Sequence, residues 1–232
     1  MQTPSLDSPP RPPRSRTVLG AAWILALCSV LLIFLVAAEW RPLTALDEDI
    51  SRTTHRWAVA ERGLTQTFRV LTDWVWDPWT MRLLCAAVAV WLGVRYSAWW
   101  TAGWLAVVCV LGSLVQQGLK SAVGRARPVW PDPVDSAHYA AFPSGHAMTA
   151  TLVSGLLLWL LYGYGAPYAA RLTAWILAAV SVVGVGVTRI WLGVHWPTDV
   201  VGGWLLGALT VSLAVLAHRR WRPGPPPTAA AS

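Results

Sequence analysis

The stretch Thr188–Asp199, TRIWLGVHWPTD, decides the fold. It sets an arginine, a histidine and an aspartate between two apolar runs, Leu172–Val187 and Val200–Ala217. An arginine or aspartate near a bilayer centre costs roughly 2.5–3.5 kcal/mol on insertion scales, so such residues gather at segment ends, pair with one another or do chemistry. Two apolar runs joined by a charged, proline-containing connection therefore read as two membrane helices with polar groups at a shared mouth.

The whole chain agrees with that class. Its 232 residues are 55% hydrophobic and 12% charged, too apolar for an ordinary soluble protein. Trp40, Trp99, Trp100 and Trp221 fall near segment ends, where an indole ring with one polar N–H suits the headgroup level. Trp23 and Trp104 lie within segments and read as packing residues. The net charge of +7 is scattered among apolar runs without a basic stripe, which argues against nucleic acid as a partner. Cys28, Cys85 and Cys109 all lie in apolar runs without metal-ligand spacing and read as small apolar fillers.

Outward from the opening stretch, the other segments follow. Residues 1–16, with five prolines and three arginines, and the Pro-rich residues 219–232 are expected to be disordered tails. Val18–Ala38 carries no charge. Three arginines before it and Val36-Ala37-Ala38 at its end resemble a signal peptide, but the run exceeds the usual h-region of about 7–15 residues, so it reads as a retained span. Residues 39–79 hold an acidic cluster, Asp47-Glu48-Asp49, and Ile50, Trp57, Leu64, Phe68 and Leu71 in loose helical spacing. One or two amphipathic helices on the membrane surface, or a solvated loop, fit that pattern. Trp79–Val94 is the weakest span, with Arg82 placed to snorkel toward the interface. Ser97–Leu119, Ala147–Leu161, Leu172–Thr188 and Val200–Ala217 are clearer, and Gly163, Gly165 and Pro167 separate two of them. The expectation is an all-α, polytopic membrane protein: one domain over residues 17–218, a bundle of about six transmembrane helices.

Parity then assembles a site. Lys120 ends one span, Ser144 opens the next and Arg189 ends the one after, so alternating crossings put all three on one membrane face. In KSAVGRARP, residues 120–128, Lys120 and Arg127 supply a compact charge and a planar fork of donors, both suited to phosphate; Arg125 reads as a lipid-headgroup or topology cation. In PSGH, residues 143–146, Ser144 can cap a helix whose first N–H groups, with that of Gly145, favour an anion. His146 on the first turn can transfer protons. Pro197 opens the last helix, placing His195 just outside and Asp199 in its first turn, near enough to fix the ring tautomer so that Nε2 keeps its lone pair. No carboxylate cluster suits magnesium, so side-chain cations take the metal's place and neither metal nor other cofactor is expected.

These residues resemble the type-2 phosphatidic acid phosphatase superfamily. Its signatures, Lys-x6-Arg-Pro, Pro-Ser-Gly-His and Ser-Arg-x5-His-x3-Asp, are matched by Lys120 with Arg127-Pro128, by Pro143-Ser144-Gly145-His146, and by Thr188-Arg189 with His195 and Asp199. Thr188 departs from the usual serine. The resemblance implies that His195 is a nucleophile forming a phosphohistidine, that Asp199 orients it and that His146 is the general acid. It implies too that Lys120, Arg127, Ser144, Gly145 and Arg189 hold the phosphoryl group, that no metal is used, and that the site faces away from the cytoplasm.

The expected activity is hydrolysis of a lipid phosphomonoester or pyrophosphate, of phosphatidic acid or polyprenyl type. A lipid phosphotransferase with the same site and a non-catalytic phospholipid-binding membrane protein are the alternatives. A vanadium-dependent haloperoxidase, with similar signatures, is disfavoured because those relatives are soluble. The basic tails favour cytoplasmic termini; the raw Lys/Arg count opposes this, but many of the opposing cations lie among acids in residues 39–79 or in the site itself. The partners expected are the membrane and the phosphorylated lipid.

Overall fold

The computed structural model describes residues 15–221, so most of both expected tails lies outside the described residues. Eight α-helices follow in order: α1 Ser15–Ala37, α2 Arg41–Ala60, α3 Arg62–Val70, α4 Pro78–Tyr96, α5 Trp99–Val123, α6 Gly145–Gly163, α7 Tyr168–Trp191 and α8 Pro197–Trp221. A short π-helical stretch, Leu71–Val75, continues α3. Among the described residues there is no strand. α8 runs past residue 218 because His218, Arg219 and Arg220 form its last turn, where cations meet the negative end of the helix dipole.

α1, α5, α6, α7 and α8 are long and apolar enough to cross a membrane. α4 falls outside that set by composition but lies alongside it. It follows Thr72, whose hydroxyl lies 3.4 Å from that of Thr188 near the end of α7, and it ends with the Tyr96 ring 6.3 Å from that of Tyr164 at the end of α6. It therefore traverses the same depth as its neighbours. The Asp77 carboxylate starts it by accepting from the backbone N–H groups of Trp79 and Thr80 at 2.6 and 3.3 Å. Arg82 does not snorkel outward as its place in the sequence implies: it donates to Thr149 Oγ1 of α6 at 3.3 Å, which satisfies a cation within the bundle.

Residues 39–79 take the helical alternative, not the looped one. In α2 the buried side is Asp47, Ser51, His55 and Ala58, while Leu46, Ile50 and Trp57 are exposed. A helix with its polar stripe on the protein and its apolar stripe outward fits a membrane-surface position. The same logic explains Trp23, which is 71% exposed on α1 beside exposed Ile24 and Leu27. It contributes to an outward apolar face, not to internal packing. Trp104 does pack, 5.8 Å from the rings of both His218 and Trp221.

α6 is the most enclosed span; its Val153 and Leu156, and Leu105 of α5 and Val185 of α7 beside it, are fully buried. α8 approaches it closely through Gly203 and Gly207. A Cβ at Gly203 would stand 2.7 Å from the Ser144 carbonyl oxygen, and one at Gly207 2.8 Å from that of Met148. Small residues four apart let two membrane helices meet backbone to backbone, and here they fix the openings of α6 and α8 side by side. Cys85, buried, and Cys109, half-buried, face each other across α4 and α5 with sulfurs 3.7 Å apart.

Candidate active site

The end of α5, the openings of α6 and α8 and the end of α7 meet at one mouth of the bundle, closed over by the loop 124–144 and by α2. That loop is pinned to the turn carrying His195 at three points. Trp196 Nε1 donates to the Ala126 carbonyl at 2.9 Å, Arg127 to the Val194 carbonyl, and Trp130 Nε1 to the Gly193 carbonyl at 2.9 Å. Gly193 has φ +68°, and a Cβ there would lie 2.5 Å from Trp130 Nε1. Both the left-handed backbone and the crowding call for glycine in this turn.

Parity holds in three dimensions: Lys120, Arg127, Arg189 and His195 all act electrostatically on His146. His195 is 2% exposed. Its Nε2 lies 3.2 Å from an Arg127 nitrogen and its Nδ1 3.4 Å from Asp199 Oδ2. A guanidinium can only donate, so Nε2 carries the lone pair and Nδ1 the proton, directed at Asp199. Burial first, and then the charges of Arg127, Arg189 and Lys120, hold the ring well below the usual histidine range. A neutral imidazole with a free Nε2 pair is the form able to attack an electrophile.

The cations are held by backbone carbonyls. Lys120 donates to the Ala140 carbonyl; Arg127 also donates to those of Tyr139 and His138, at 2.9 and 3.2 Å. Arg189 is 4% exposed, its Nε has no partner among the described residues, and one terminal nitrogen stands 3.9 Å from Asp135 Oδ2. Ser144 is the N-cap residue of α6, yet its side chain makes no capping bond and its fully buried Oγ has no partner. The cap expected from its position is thus not made, and the hydroxyl is left without a partner among the described residues. Thr188 behaves oppositely: its Oγ1 donates back to the Val185 carbonyl at 2.9 Å, so the hydroxyl is used inside α7. At Gly145 a Cβ would meet the Gln116 amide at 2.6 Å. Gln116, one turn before Lys120, fills the space above this glycine.

Two site residues escaped the sequence reading. Arg125 is no headgroup cation: it donates to Asp199 Oδ1 at 2.6 Å, to Thr198 Oγ1 at 2.7 Å and to Asp47 Oδ2 at 2.7 Å. Asp47, on α2 and 1% exposed, also accepts from the Thr198 backbone N–H at 2.9 Å. The available signal for Asp47 was the polar stripe Asp47, Ser51, His55 at helical spacing.

This chain also resembles known proteins. Residues 101–223 match the family model of the PAP2 superfamily. The chain is 36% identical over 109 residues to phosphatidylglycerophosphatase B of Bacillus subtilis, covering 45% of this chain and 53% of that protein, so it spans about half the length of that relative. It is 26% identical over 210 residues to undecaprenyl-diphosphatase of Sulfolobus acidocaldarius, covering 83% of this chain and 89% of that one. Its fold matches a crystal structure of a transmembrane PAP2-type phosphatidylglycerolphosphate phosphatase from Bacillus subtilis with a TM-score of 0.74, at 25% identity, over 86% of this chain and 98% of the other. With the family's pattern matched over more than half its length and its fold shared with that structure, this chain belongs to the PAP2 superfamily.

Proposed function

We propose that this multi-pass membrane protein hydrolyses a phosphomonoester or pyrophosphate carried on a membrane lipid. The observation that carries the reading is the buried His195 ring, with Nδ1 3.4 Å from Asp199 Oδ2 and Nε2 3.2 Å from an Arg127 nitrogen, within reach of the charges of Arg189 and Lys120. Three cations against a phosphate of one or two negative charges offer charge-assisted hydrogen bonds of about 1.5–3 kcal/mol each, with more where charge develops in the transition state. The unpartnered Ser144 hydroxyl and Arg189 Nε, with the Gly145 N–H, complete the donor set.

In the first step His195 Nε2 forms a bond to phosphorus while the bond from phosphorus to the lipid oxygen breaks. His146 gives its proton to the departing oxygen. In the second step water attacks the phosphohistidine, His146 takes a proton from it, the N–P bond breaks, and inorganic phosphate leaves. Asp199 keeps its place at Nδ1 throughout and stabilises the positive charge that develops on the ring.

The lipid part of the substrate is supported by an apolar groove of about 710 Å³ between α4, α6 and α7. It runs from Val75 and Trp76, next to the Thr72–Thr188 contact, down to Tyr96 and Tyr164. A tail lying there keeps its headgroup at the mouth. The placement proposed is the cell membrane, with termini in the cytoplasm and the site on the outer side. Arg95, Arg171, Arg219 and Arg220, on the face opposite the site, favour it.

Phosphate release by purified protein from phosphatidic acid, phosphatidylglycerol phosphate, diacylglycerol pyrophosphate and a polyprenyl pyrophosphate, with a chelator present, tests the reading. Release from at least one lipid without an added acceptor alcohol is expected. Transfer only to an acceptor would make the chain a phosphotransferase, and no turnover of any of the four would overturn the reading.

A further inference from the structure

The groups that hold His195 do not end at Asp199. One carboxylate oxygen of Asp199, Oδ2, faces His195 Nδ1 and accepts from the Trp196 backbone N–H at 2.8 Å; the other, Oδ1, is taken by Arg125. The second arm of Arg125 is taken by Asp47, and the guanidinium lies 5.7 Å over the Trp196 ring. Asp47 uses both its oxygens as well, accepting from the backbone N–H and the hydroxyl of Thr198. All three charged side chains are enclosed, at 1% exposure for Asp47, 13% for Arg125 and 0% for Asp199.

Such an arrangement has an electrostatic consequence. Without Arg125, Asp199 would be a buried carboxylate with its whole charge turned on His195, which favours the imidazolium over the nucleophilic neutral ring. Without Asp47, Arg125 loses the partner that fixes its plane, and the first turn of α8 loses the acceptor that satisfies Thr198 N–H. The α2 helix, remote in sequence, thereby reaches the reacting nitrogen through two links.

We propose that Asp47 and Arg125 are positioning residues, a relay that fixes the Asp199 carboxylate and through it the protonation and aim of His195. The inference rests on the phosphatase reading above. A plain tether between α2 and α8 is the competing role, and it predicts different kinetics. A relay acts on the chemical step, so Asp47→Asn lowers kcat by about 10–100-fold, the scale of a slightly misplaced catalytic group, and leaves KM within about twofold. Acting through Arg125, it adds little further loss to an Arg125→Gln protein.

The pH profile separates the two roles further. The groups facing His195 are Arg127 from the loop, Arg189 from α7, Lys120 from α5, His146 from α6 and Asp199 from α8. Arg125→Gln removes a positive charge behind Asp199, so the acid limb of kcat/KM moves to higher pH. Asp47→Asn removes a negative one, so the limb moves to lower pH. A tether moves neither.

The experiment compares wild type, Asp47→Asn, Asp47→Glu, Arg125→Gln, the Asp47→Asn/Arg125→Gln pair and His195→Ala. Each is assayed for phosphate release from phosphatidic acid and a short-chain polyprenyl pyrophosphate in detergent micelles, with thermal melting alongside. The kcat-specific, non-additive loss, the opposed pH shifts and partial recovery in Asp47→Glu are expected. Asp47→Asn at wild-type kcat, or multiplicative losses with an unmoved acid limb, would overturn the relay. If Asp47→Asn fails to fold, Arg125→Gln and Asp47→Glu carry the same kcat and pH comparison. His195→Ala distinguishes the levels: full activity there removes the phosphatase reading, whereas an inactive His195→Ala beside a fully active Asp47→Asn removes the relay alone.

Discussion

His195 Nε2 stands 3.2 Å from Arg127, which also grips the carbonyl of the residue just before it, Val194. One cation thus sets the aim of the ring and disfavours its protonation. Because attack needs the neutral ring and the surrounding cations push its pKa down, activity should persist on the acid side of the ordinary histidine range. Arg127→Gln removes a cation, raises that pKa and moves the acid limb of kcat/KM to higher pH, with a fall in kcat/KM of about 10–100-fold from the lost charge-assisted bonds. A pH–rate profile of the variant checks both.

Ser144 provides a case in which stability and activity part company. Its hydroxyl makes no bond among the described residues, so Ser144→Ala forfeits no cap and should leave the melting temperature almost unchanged. Loss of a donor to the phosphoryl group should lower kcat/KM by about 10-fold or more. Melting curves and kinetics on the same preparation test this pair of outcomes.

Thr188 gives the opposite expectation. Its hydroxyl is spent on the Val185 carbonyl of its own helix, a contact that stabilises little. Thr188→Val, which removes that hydroxyl, should keep kcat within about fivefold, since one neutral hydrogen bond contributes about 1 kcal/mol. A much larger kinetic loss would mean that the threonine hydroxyl reaches the substrate.

Gly203 tests the backbone contact between α6 and α8. A methyl group there must displace the Ser144 carbonyl region, so Gly203→Ala should destabilise by about 1–3 kcal/mol, as overpacking does, and lower activity by shifting Ser144 and His146. Gly103, where a Cβ would meet nothing within 4 Å, is the control: Gly103→Ala should be neutral or slightly stabilising through helix propensity. Paired melting measurements decide.

Much of this molecule is legible from its residues alone. Apolar runs report their own burial, so the spans from Val18 to Ala217 can be read to within a few residues, and alternation by itself brings Lys120, Ser144 and Arg189 to one face. What stays hidden depends on contacts between distant segments. Asp47 is one acid among three in its cluster; its spacing with Ser51 and His55 marks a polar stripe, but nothing local shows that this stripe meets Arg125 and Thr198. The inward turn of Arg82 to Thr149 and the uncapped hydroxyl of Ser144 are likewise settled by packing. A residue's type states what it can bond; only its neighbours state what it does bond.

On the proposed mechanism His195 takes the phosphoryl group. Brief incubation with a lipid phosphate labelled at phosphorus, followed by an alkaline quench and peptide mapping, should place acid-labile label on His195, and none in His195→Ala. Label on another residue, or phosphate release at the wild-type rate by His195→Ala, would contradict the account.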